Sequence, residues 1–306
     1  MAPNPKIKRV AVLGGTGFLG TEIVARFLAE GVNVRIGVRH PDQVRVTEAQ
    51  QQIAKAETFY TDVRDQDSIA RTLQGCDAAV NAVGLYVERG SETFHAVHEV
   101  GATNVAHHCA EQKVKRLIHL SGIGADPNST SSYVRARAEG EHLVNDAFPK
   151  TTILRPSVLF GPSDKFINTL ARIVRHAPVI PLFGRGLTKL QPVYVGDVGL
   201  AALRALQMSA SEGKTYELGG PHALTYRKLI ELVMERAGKR RPLLPLPFFM
   251  WEAMAALVSP LPAPPVTRDQ IALMRDDNVV AENALSLSDL GVIATALEDV
   301  LPDYAF

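Results

Sequence analysis

The chain has 306 residues, 46% of them hydrophobic and 21% charged, and its 33 basic side chains nearly balance 32 acidic ones. This composition excludes a disordered chain, and the near-zero net charge excludes the strongly basic surface of a general nucleic-acid binder. No apolar run approaches the roughly 18 residues of a membrane-spanning helix, and two cysteines are too few for a disulfide framework. We expect a cytoplasmic α/β protein with a large core.

The first forty residues predict one strand-helix-strand unit. A short strand, Arg9 to Leu13, runs directly into a glycine-rich turn. Apolar residues then recur with helical period from Phe18 to Leu28, and Gly31 stands where helix C-termini favour glycine. A second strand over 34–38 completes a unit of the length that a dinucleotide-binding fold requires.

Strand-helix alternation continues beyond this unit. Further strands are predicted at 57–60, 78–82, 117–120, 152–154 and 215–218, and helices at 68–73, 92–112 and 134–146. The alternation predicts an α/β fold, a Rossmann-type doubly wound parallel sheet with a smaller, mostly helical C-terminal lobe. The chain becomes richer in proline after Pro156. We therefore predict a dinucleotide-binding domain over 1–155, to which 190–220 returns, and a substrate or partner lobe formed by 156–189 and 221–306.

The glycine-rich turn carries the first functional prediction. Gly14, Gly17 and Gly20 are spaced three apart between the first strand and the first helix. A dinucleotide site needs such glycines for a tight turn, for close approach of the pyrophosphate and for close packing of helix on sheet. The helix N-terminus favours the diphosphate. The predicted contacts here are Gly14, Thr16, Gly17, Phe18, Leu19 and Gly20.

The residue after the second strand discriminates between the two nicotinamide cofactors. An acid there holds the ribose 2′-hydroxyl of NAD(H), whereas an arginine accommodates the 2′-phosphate of NADP(H). This chain has Arg39 at that position and no acid before Asp42. The sequence therefore favours NADP(H). The alternative is NAD(H), with Arg39 only a solvated charge at the strand end.

Two later strand ends supply further candidates for the cofactor site. Asp62 and Val63 follow the third strand, where they can accept a hydrogen bond from the adenine amino group and cover its face. Ala82, Val83 and Gly84 end the fourth strand. They are small, as a backbone lying against a cofactor requires.

These motifs resemble those of the short-chain dehydrogenase/reductase superfamily, in its extended or atypical, epimerase/dehydratase-like branch. Besides the glycine turn, the resemblance is carried by Asp62-Val63, His119-Leu120-Ser121, Tyr133 to Arg137, Arg155 to Gly161 and Gln191 to Val198. Within this branch the chain resembles the group of alpha-subcomplex subunit 9 of mitochondrial complex I and its bacterial relatives, over roughly 10–298. The resemblance implies a respiratory or quinone-biosynthesis complex as partner. It also implies nicotinamide contacts from Pro156, Ser157 and Val158.

Active members of the superfamily use Tyr-x-x-x-Lys with a Ser or Thr. The phenol transfers a proton while hydride moves, and the cation must lower its pKa from about 10 for work near neutrality. The resemblance implies Tyr133, Arg137 and Ser121 as catalytic residues that also contact the cofactor. The chain departs from the pattern twice, because Arg137 replaces the lysine and Gly122 stands at the second hydroxyl position.

Two functions follow from these features. In the first, the protein holds NADP(H) for a structural or sensing role with weak or absent turnover. In the second, it is an active NADPH-dependent oxidoreductase on a hydrophobic carbonyl or quinone-type substrate. A sugar-nucleotide epimerase is a third reading, and Arg39 argues against it, because those enzymes recycle a tightly held NAD.

Two remaining features have alternatives. His95, His98, His107 and His108 share one helix but lack a third ligand at suitable spacing, so we expect partly exposed histidines and no metal site. Lys239-Arg240-Arg241 precedes an apolar helix over 248–258. This helix either lines the substrate pocket or contacts a partner or an anionic membrane, which would place the protein peripheral to the inner membrane.

Overall fold

The computed structural model describes residues 7–44, 55–259, 261 and 266–304, so parts of both predicted domains lie outside the described residues. The strands are β1 (Arg9–Leu13), β2 (Asn33–Val38), β3 (Ala56–Tyr60), β4 (Ala78–Asn81), β5 (Arg116–Leu120), β6 (Thr152–Pro156), β7 (Leu159–Phe160), β8 (Ile180–Phe183), β9 (Lys189–Leu190), β10 (Val193–Tyr194), β11 (Thr215–Leu218), β12 (Leu224–Thr225) and β13 (Leu243–Leu246).

The helices surround and extend this set of strands. They are α1 (Phe18–Ala29), α2 (Gln66–Leu73), α3 (Ala102–Glu111), α4 (Ser132–Ala147), α5 (Phe166–His176), α6 (Val195–Gln207), α7 (Tyr226–Arg236), α8 (Phe248–Val258), α9 (Arg268–Leu273) and α10 (Leu297–Val300). A π-helical segment, His95–Gly101, leads directly into α3. Short 3₁₀ turns are formed by Pro41–Gln43, Ser209–Ser211, Ser288–Leu290 and Leu301–Asp303.

The centre of the molecule is a seven-stranded sheet in the order β11-β6-β5-β4-β1-β2-β3. Every neighbouring pair is parallel, and Val10 of β1 lies opposite Val34 of β2 and Ala78 of β4. The predicted Rossmann-type parallel sheet is confirmed. Because the strand order reverses between β1 and β4, the connections after these strands diverge and leave a crevice at their carboxyl ends.

Helices cover both faces of the sheet. On one face α1 and α6 bury residues such as Phe27 and Ala202. On the other face α2 and α3 bury Ile69 and Val105, and Cys109 packs in the same layer. Strands β1 and β4 are therefore buried on both faces, which explains why β1 reads as a continuous hydrophobic run.

The later part of the chain contains more regular structure than its proline content indicates. Helices α5 and α7 pack on each other, and residues including Ile167, Leu182 and Leu229 form a separate core. Helix α6 returns to pack on α1, and β11 extends the sheet. The division into a dinucleotide-binding domain and a lobe stays a prediction.

Candidate functional site

A cleft of about 270 Å³ lies at the carboxyl ends of β1 to β4, where the strand order reverses. It brings together many of the predicted cofactor-binding residues, namely Gly14, Thr16, Gly17, Arg39, Asp62, Val63, Ala82, Val83 and Gly84. Parallel sheets of this topology bind ligands at this position.

The glycine turn has no room for side chains at two positions. A Cβ on Gly14, whose φ is +79°, would lie 2.9 Å from the carbonyl oxygen of Ala82. A Cβ on Gly20 would lie 2.1 Å from the carbonyl oxygen of Gly14, so α1 packs directly on the turn. Gly17 is the N-cap of α1 and supplies no side-chain cap. The turn thus offers backbone N–H groups to a ligand at the helix N-terminus.

Phe18 and Leu19, which lie between Gly17 and Gly20, have different surroundings. Leu19 is partly buried and packs against the main core. Phe18 lies next to Gly161, where an added Cβ would be 3.1 Å from the Phe18 ring. Both side chains therefore pack within the protein, and a contact with the cofactor would come from their backbone.

Two ion pairs lie in the part of the cleft next to the ends of β2 and β3. The Arg39 guanidinium contacts the Glu92 carboxylate, and the Arg39 side chain is 54% exposed. Arg64 binds Asp62 with two donors, Nε to Oδ1 at 2.9 Å and Nη2 to Oδ2 at 2.6 Å. The hydrogen bond from Arg64 lowers the pKa of the Asp62 carboxyl, although burial works against it. Asp62 is therefore ionised, and its carboxylate is already bound by Arg64 on one side.

Sequence reasoning missed two of these charges. Arg64 follows Asp62 by two residues, so its place at the same strand end could have been inferred from the sequence. Glu92 enters the cleft from the segment between β4 and α3, far along the chain from Arg39. No local pattern indicates that approach.

The predicted catalytic pair lies one helical turn apart on α4. The guanidinium carbon of Arg137 is 5.0 Å from the ring centroid of Tyr133, and both side chains are buried. Tyr86 stacks on the Tyr133 ring at 5.5 Å, and Phe94 packs edge-on at 5.4 Å. The phenol is consequently enclosed by aromatic side chains.

The start of α4 is held from the C-terminal part of the chain. Ser131 caps the helix by accepting a hydrogen bond from the Val134 N–H. Its hydroxyl donates to Asp269 of α9 at 2.6 Å, and Asp269 also accepts from the Tyr133 N–H at 3.4 Å. The position of Tyr133 thus depends on contacts from α9.

The pKa of the phenol differs from the sequence expectation. Burial raises the pKa of Tyr133 well above its usual value, and the positive charge of Arg137 only partly offsets this effect. The positive charge of Arg137 therefore does not bring the pKa of Tyr133 below its usual value. A phenol in this state does not ionise near neutral pH.

Gly122, which stands where the family has a hydroxyl residue, leaves space for Arg137, which replaces the family's lysine. A Cβ on Gly122 would lie 3.2 Å from Nη1 of Arg137, and a Cβ on Gly84 would lie 3.7 Å from Nη2. The guanidinium therefore lies beside the carboxyl ends of β4 and β5. A larger residue at position 122 would compete for this space.

Two buried polar atoms beside these glycines have no partner within the described part of the chain. They are Oγ of Ser121, whose side chain is 4% exposed, and Nε of Arg137. Buried polar groups normally form hydrogen bonds. Among the described residues, the lining of the cleft does not include Ser121, Tyr133 or Arg137.

Pro156, Ser157 and Val158, the predicted nicotinamide contacts, lie at the end of β6 and directly after it. The Ser157 hydroxyl donates to Oδ1 of Asn278 at 2.6 Å, and Asn278 donates in turn to the Ile123 carbonyl at 3.1 Å. Pro156 is the last residue of β6, and Val158 packs against the separate core that includes Ile167 and Leu229. Among the residues that the structure describes, these three do not line the cleft.

The four histidines of the π-helix and α3 differ in exposure, and His108 is half-buried. His95 and His107 are exposed, but His98 is buried, so the expectation of partial exposure is wrong for it. Nε2 of His98 lies 2.9 Å from the Leu85 carbonyl oxygen, and burial lowers its pKa to about 3. The described residues contain no group of three or more His, Cys, Asp or Glu that could hold a metal.

The family becomes clear when the chain is compared with known proteins. Residues 10–219 match the model of the NAD dependent epimerase/dehydratase family. The chain is 33% identical over 299 residues to NADH dehydrogenase [ubiquinone] 1 alpha subcomplex subunit 9, mitochondrial, of Arabidopsis thaliana, covering 94% of this chain and 74% of that protein. It is 31% identical over 283 residues to the NADH-ubiquinone oxidoreductase 40 kDa subunit of Neurospora crassa, covering 92% and 74%.

Solved structures agree at the level of the fold. The Thermus thermophilus UDP-glucose 4-epimerase, in complex with NAD, superposes with a TM-score of 0.68 at 21% identity, covering 96% of each chain. The match over 10–219 and the identity to the complex I subunits show the family. The chain belongs to the NAD dependent epimerase/dehydratase family.

Proposed function

We propose that this protein binds NADP(H) and holds it for a structural or sensing role, with weak or absent turnover. The observation that carries the proposal is the contrast between the two ends of the site. At one end, the cleft places the Arg39 cation near the glycine turn. At the other end, Tyr133 is buried beneath Tyr86, with a raised pKa, and Gly122 provides no hydroxyl.

The residues present suit each part of the dinucleotide. The N–H groups of the glycine turn would bind the diphosphate, and Arg39 would bind the 2′-phosphate. Asp62 and Val63 would contact the adenine. Arg137 and Ser121 have unpartnered polar atoms for the nicotinamide ribose. The bound cofactor supplies a hydride donor or acceptor, while the enclosed Tyr133 is a poor source of the matching proton.

A binding measurement tests this proposal. We expect calorimetry to show tighter binding of NADPH than of NADH, and Arg39→Ala to weaken NADPH binding about tenfold or more with little effect on NADH. Arg71→Ala removes an exposed cation outside the cleft and serves as the control. Purified protein that retains NADPH supports a holding role. Failure of both dinucleotides to bind would overturn the proposal.

The second candidate function is an active NADPH-dependent oxidoreductase on a hydrophobic carbonyl or quinone-type substrate. The contact between Tyr133 and Arg137 favours it, because a phenol and a cation are kept together. NADPH oxidation with a panel of quinones and ketones separates the two functions. Turnover that is abolished by Tyr133→Phe would establish the oxidoreductase activity. No turnover with any compound would exclude this activity for the quinones and ketones of the panel.

For partners, we propose a respiratory or quinone-biosynthesis complex, on the similarity to complex I subunits. The described residues include no helix long and apolar enough to span a membrane. Helix α8 buries Trp251 but exposes Phe249, Met250 and Leu257, the last with 82% of its surface accessible.

Peripheral contact with an anionic membrane would use this exposed face together with Lys239-Arg240-Arg241. Co-sedimentation with anionic vesicles at low salt tests the contact, with neutral vesicles and Leu257→Glu as controls. No binding to anionic vesicles would rule it out.

A further inference from the structure

Arg39, the residue expected to bind the 2′-phosphate, already has an anionic partner within the protein. Its guanidinium contacts the Glu92 carboxylate, and both side chains line the cleft. The sequence lacks an acid at the end of β2, where NAD(H)-binding proteins carry one. The structure supplies a carboxylate at this place from a different part of the chain.

The backbone around Glu92 is fixed from two sides. Arg89 and Glu92 exchange two backbone hydrogen bonds of 2.9 Å, which close a tight turn. Nη1 of Arg64 donates to the Ser91 hydroxyl at 3.1 Å, and Arg64 is itself held by Asp62. The carboxylate is therefore positioned at the cleft by neighbouring structure and is not a randomly placed surface acid.

The other charges at this end of the cleft are balanced. Asp62 and Arg64 neutralise each other through three hydrogen bonds between their side chains. Arg39 and Glu92 are consequently the charged groups that would meet a 2′-substituent here. A carboxylate accepts a hydrogen bond from a ribose hydroxyl but repels a phosphate, whereas a guanidinium attracts the phosphate.

We propose that Glu92 is a specificity-determining residue of the dinucleotide site. Its carboxylate accepts a hydrogen bond from the 2′-hydroxyl of NAD(H). It must give up its contact with Arg39 when the 2′-phosphate of NADP(H) binds. The pair thereby limits the preference for NADP(H) that Arg39 alone would give. This inference rests on the proposed function, because it requires that the cleft bind a dinucleotide.

The test is Glu92→Gln, which keeps the shape of the side chain and removes its charge. Calorimetry with 2′,5′-ADP and ADP probes this end of the site alone, and NADP⁺ and NAD⁺ probe the whole site. We expect tighter binding of the 2′-phosphorylated ligands, by about tenfold, and unchanged or weaker binding of the others. Glu99→Gln is the matched control, because it removes a nearby acid that does not line the cleft.

The outcomes separate this inference from the proposed function. If the unaltered protein binds NADP⁺ and Glu92→Gln leaves the ratio of the two affinities unchanged, the role of Glu92 is wrong and the proposed function stands. An equal change in Glu99→Gln also overturns the role of Glu92, because the effect would then be one of general charge. If the unaltered protein binds neither dinucleotide, both proposals fail.

Discussion

Gly122→Ser should destabilise the protein through its contact with Arg137. The new Cβ would lie 3.2 Å from Nη1 of Arg137, tighter than an ordinary contact, and the hydroxyl extends further. The guanidinium is buried against the Tyr133 ring, so it cannot move freely into solvent. Overpacking of this kind costs about 1–3 kcal/mol, which lowers the Tm by several degrees in a chain of this size.

The loss of stability can be traced to the contact with Arg137 when Arg137 is replaced as well. Arg137→Lys replaces the broad guanidinium with a compact ammonium and leaves space beside residue 122. In the double variant the serine side chain fills that space. We therefore expect the double variant to be more stable than the sum of the two single changes predicts, by about 1 kcal/mol or more.

Urea unfolding of the four proteins, followed by circular dichroism, measures this coupling. Gly84→Ala is the control, because its Cβ would lie at an ordinary 3.7 Å from Nη2 of Arg137. Effects of Gly122→Ser and Arg137→Lys that add within about 0.5 kcal/mol would refute the reasoning, since residues that compete for one space do not act independently.

Three further predictions concern the turn, a buried histidine and the phenol. Gly20→Ala should lower the Tm and abolish dinucleotide binding, because its Cβ would lie 2.1 Å from the carbonyl oxygen of Gly14. In Gly17→Ala the Cβ would lie 3.3 Å from the same oxygen, so this variant should keep the fold. Burial lowers the pKa of His119 to about 3, so the unfolded chain binds more protons between pH 3 and 6.5. From pH 7 to pH 5 this histidine should therefore reduce the free energy of unfolding by about 2 kcal/mol, and His119→Asn should reduce the pH dependence in urea titrations by that amount. Tyr86→Ala should admit water to Tyr133 and lower its pKa, measured by tyrosinate absorbance against Tyr133→Phe.

The sheet could be predicted from the sequence because its strands are short and alternate with helices, and its central strand β1 is a continuous apolar run. Helices α5 and α7 were missed although their apolar residues keep helical spacing, as in Ile167, Leu170 and Val174. Pro162 and Pro178 lie on either side of α5, and proline-rich segments are usually irregular. Here the prolines stand outside the helix, so they do not interrupt its hydrogen bonds.

The cleft was predictable to the extent that it is built from the ends of neighbouring strands. Parallel strands bring their carboxyl ends to one edge, so Gly14, Arg39 and Asp62 were expected together. Glu92 and the buried His98 were not, because their positions depend on how the segment after β4 folds back over that edge. Sequence spacing determines neighbours along a strand or helix, but not such a tertiary contact.

That segment also connects the two ends of the site. Tyr86, near its start, stacks on Tyr133, and Glu92, near its end, contacts Arg39. On the proposed role of Glu92, a 2′-phosphate that displaces Glu92 from Arg39 would act on the same short stretch of chain that covers the phenol. In a protein that senses NADP(H), this stretch would connect the part of the site at Arg39 with the part at Tyr133. In an enzyme, the same connection would make access to Tyr133 depend on which dinucleotide is bound.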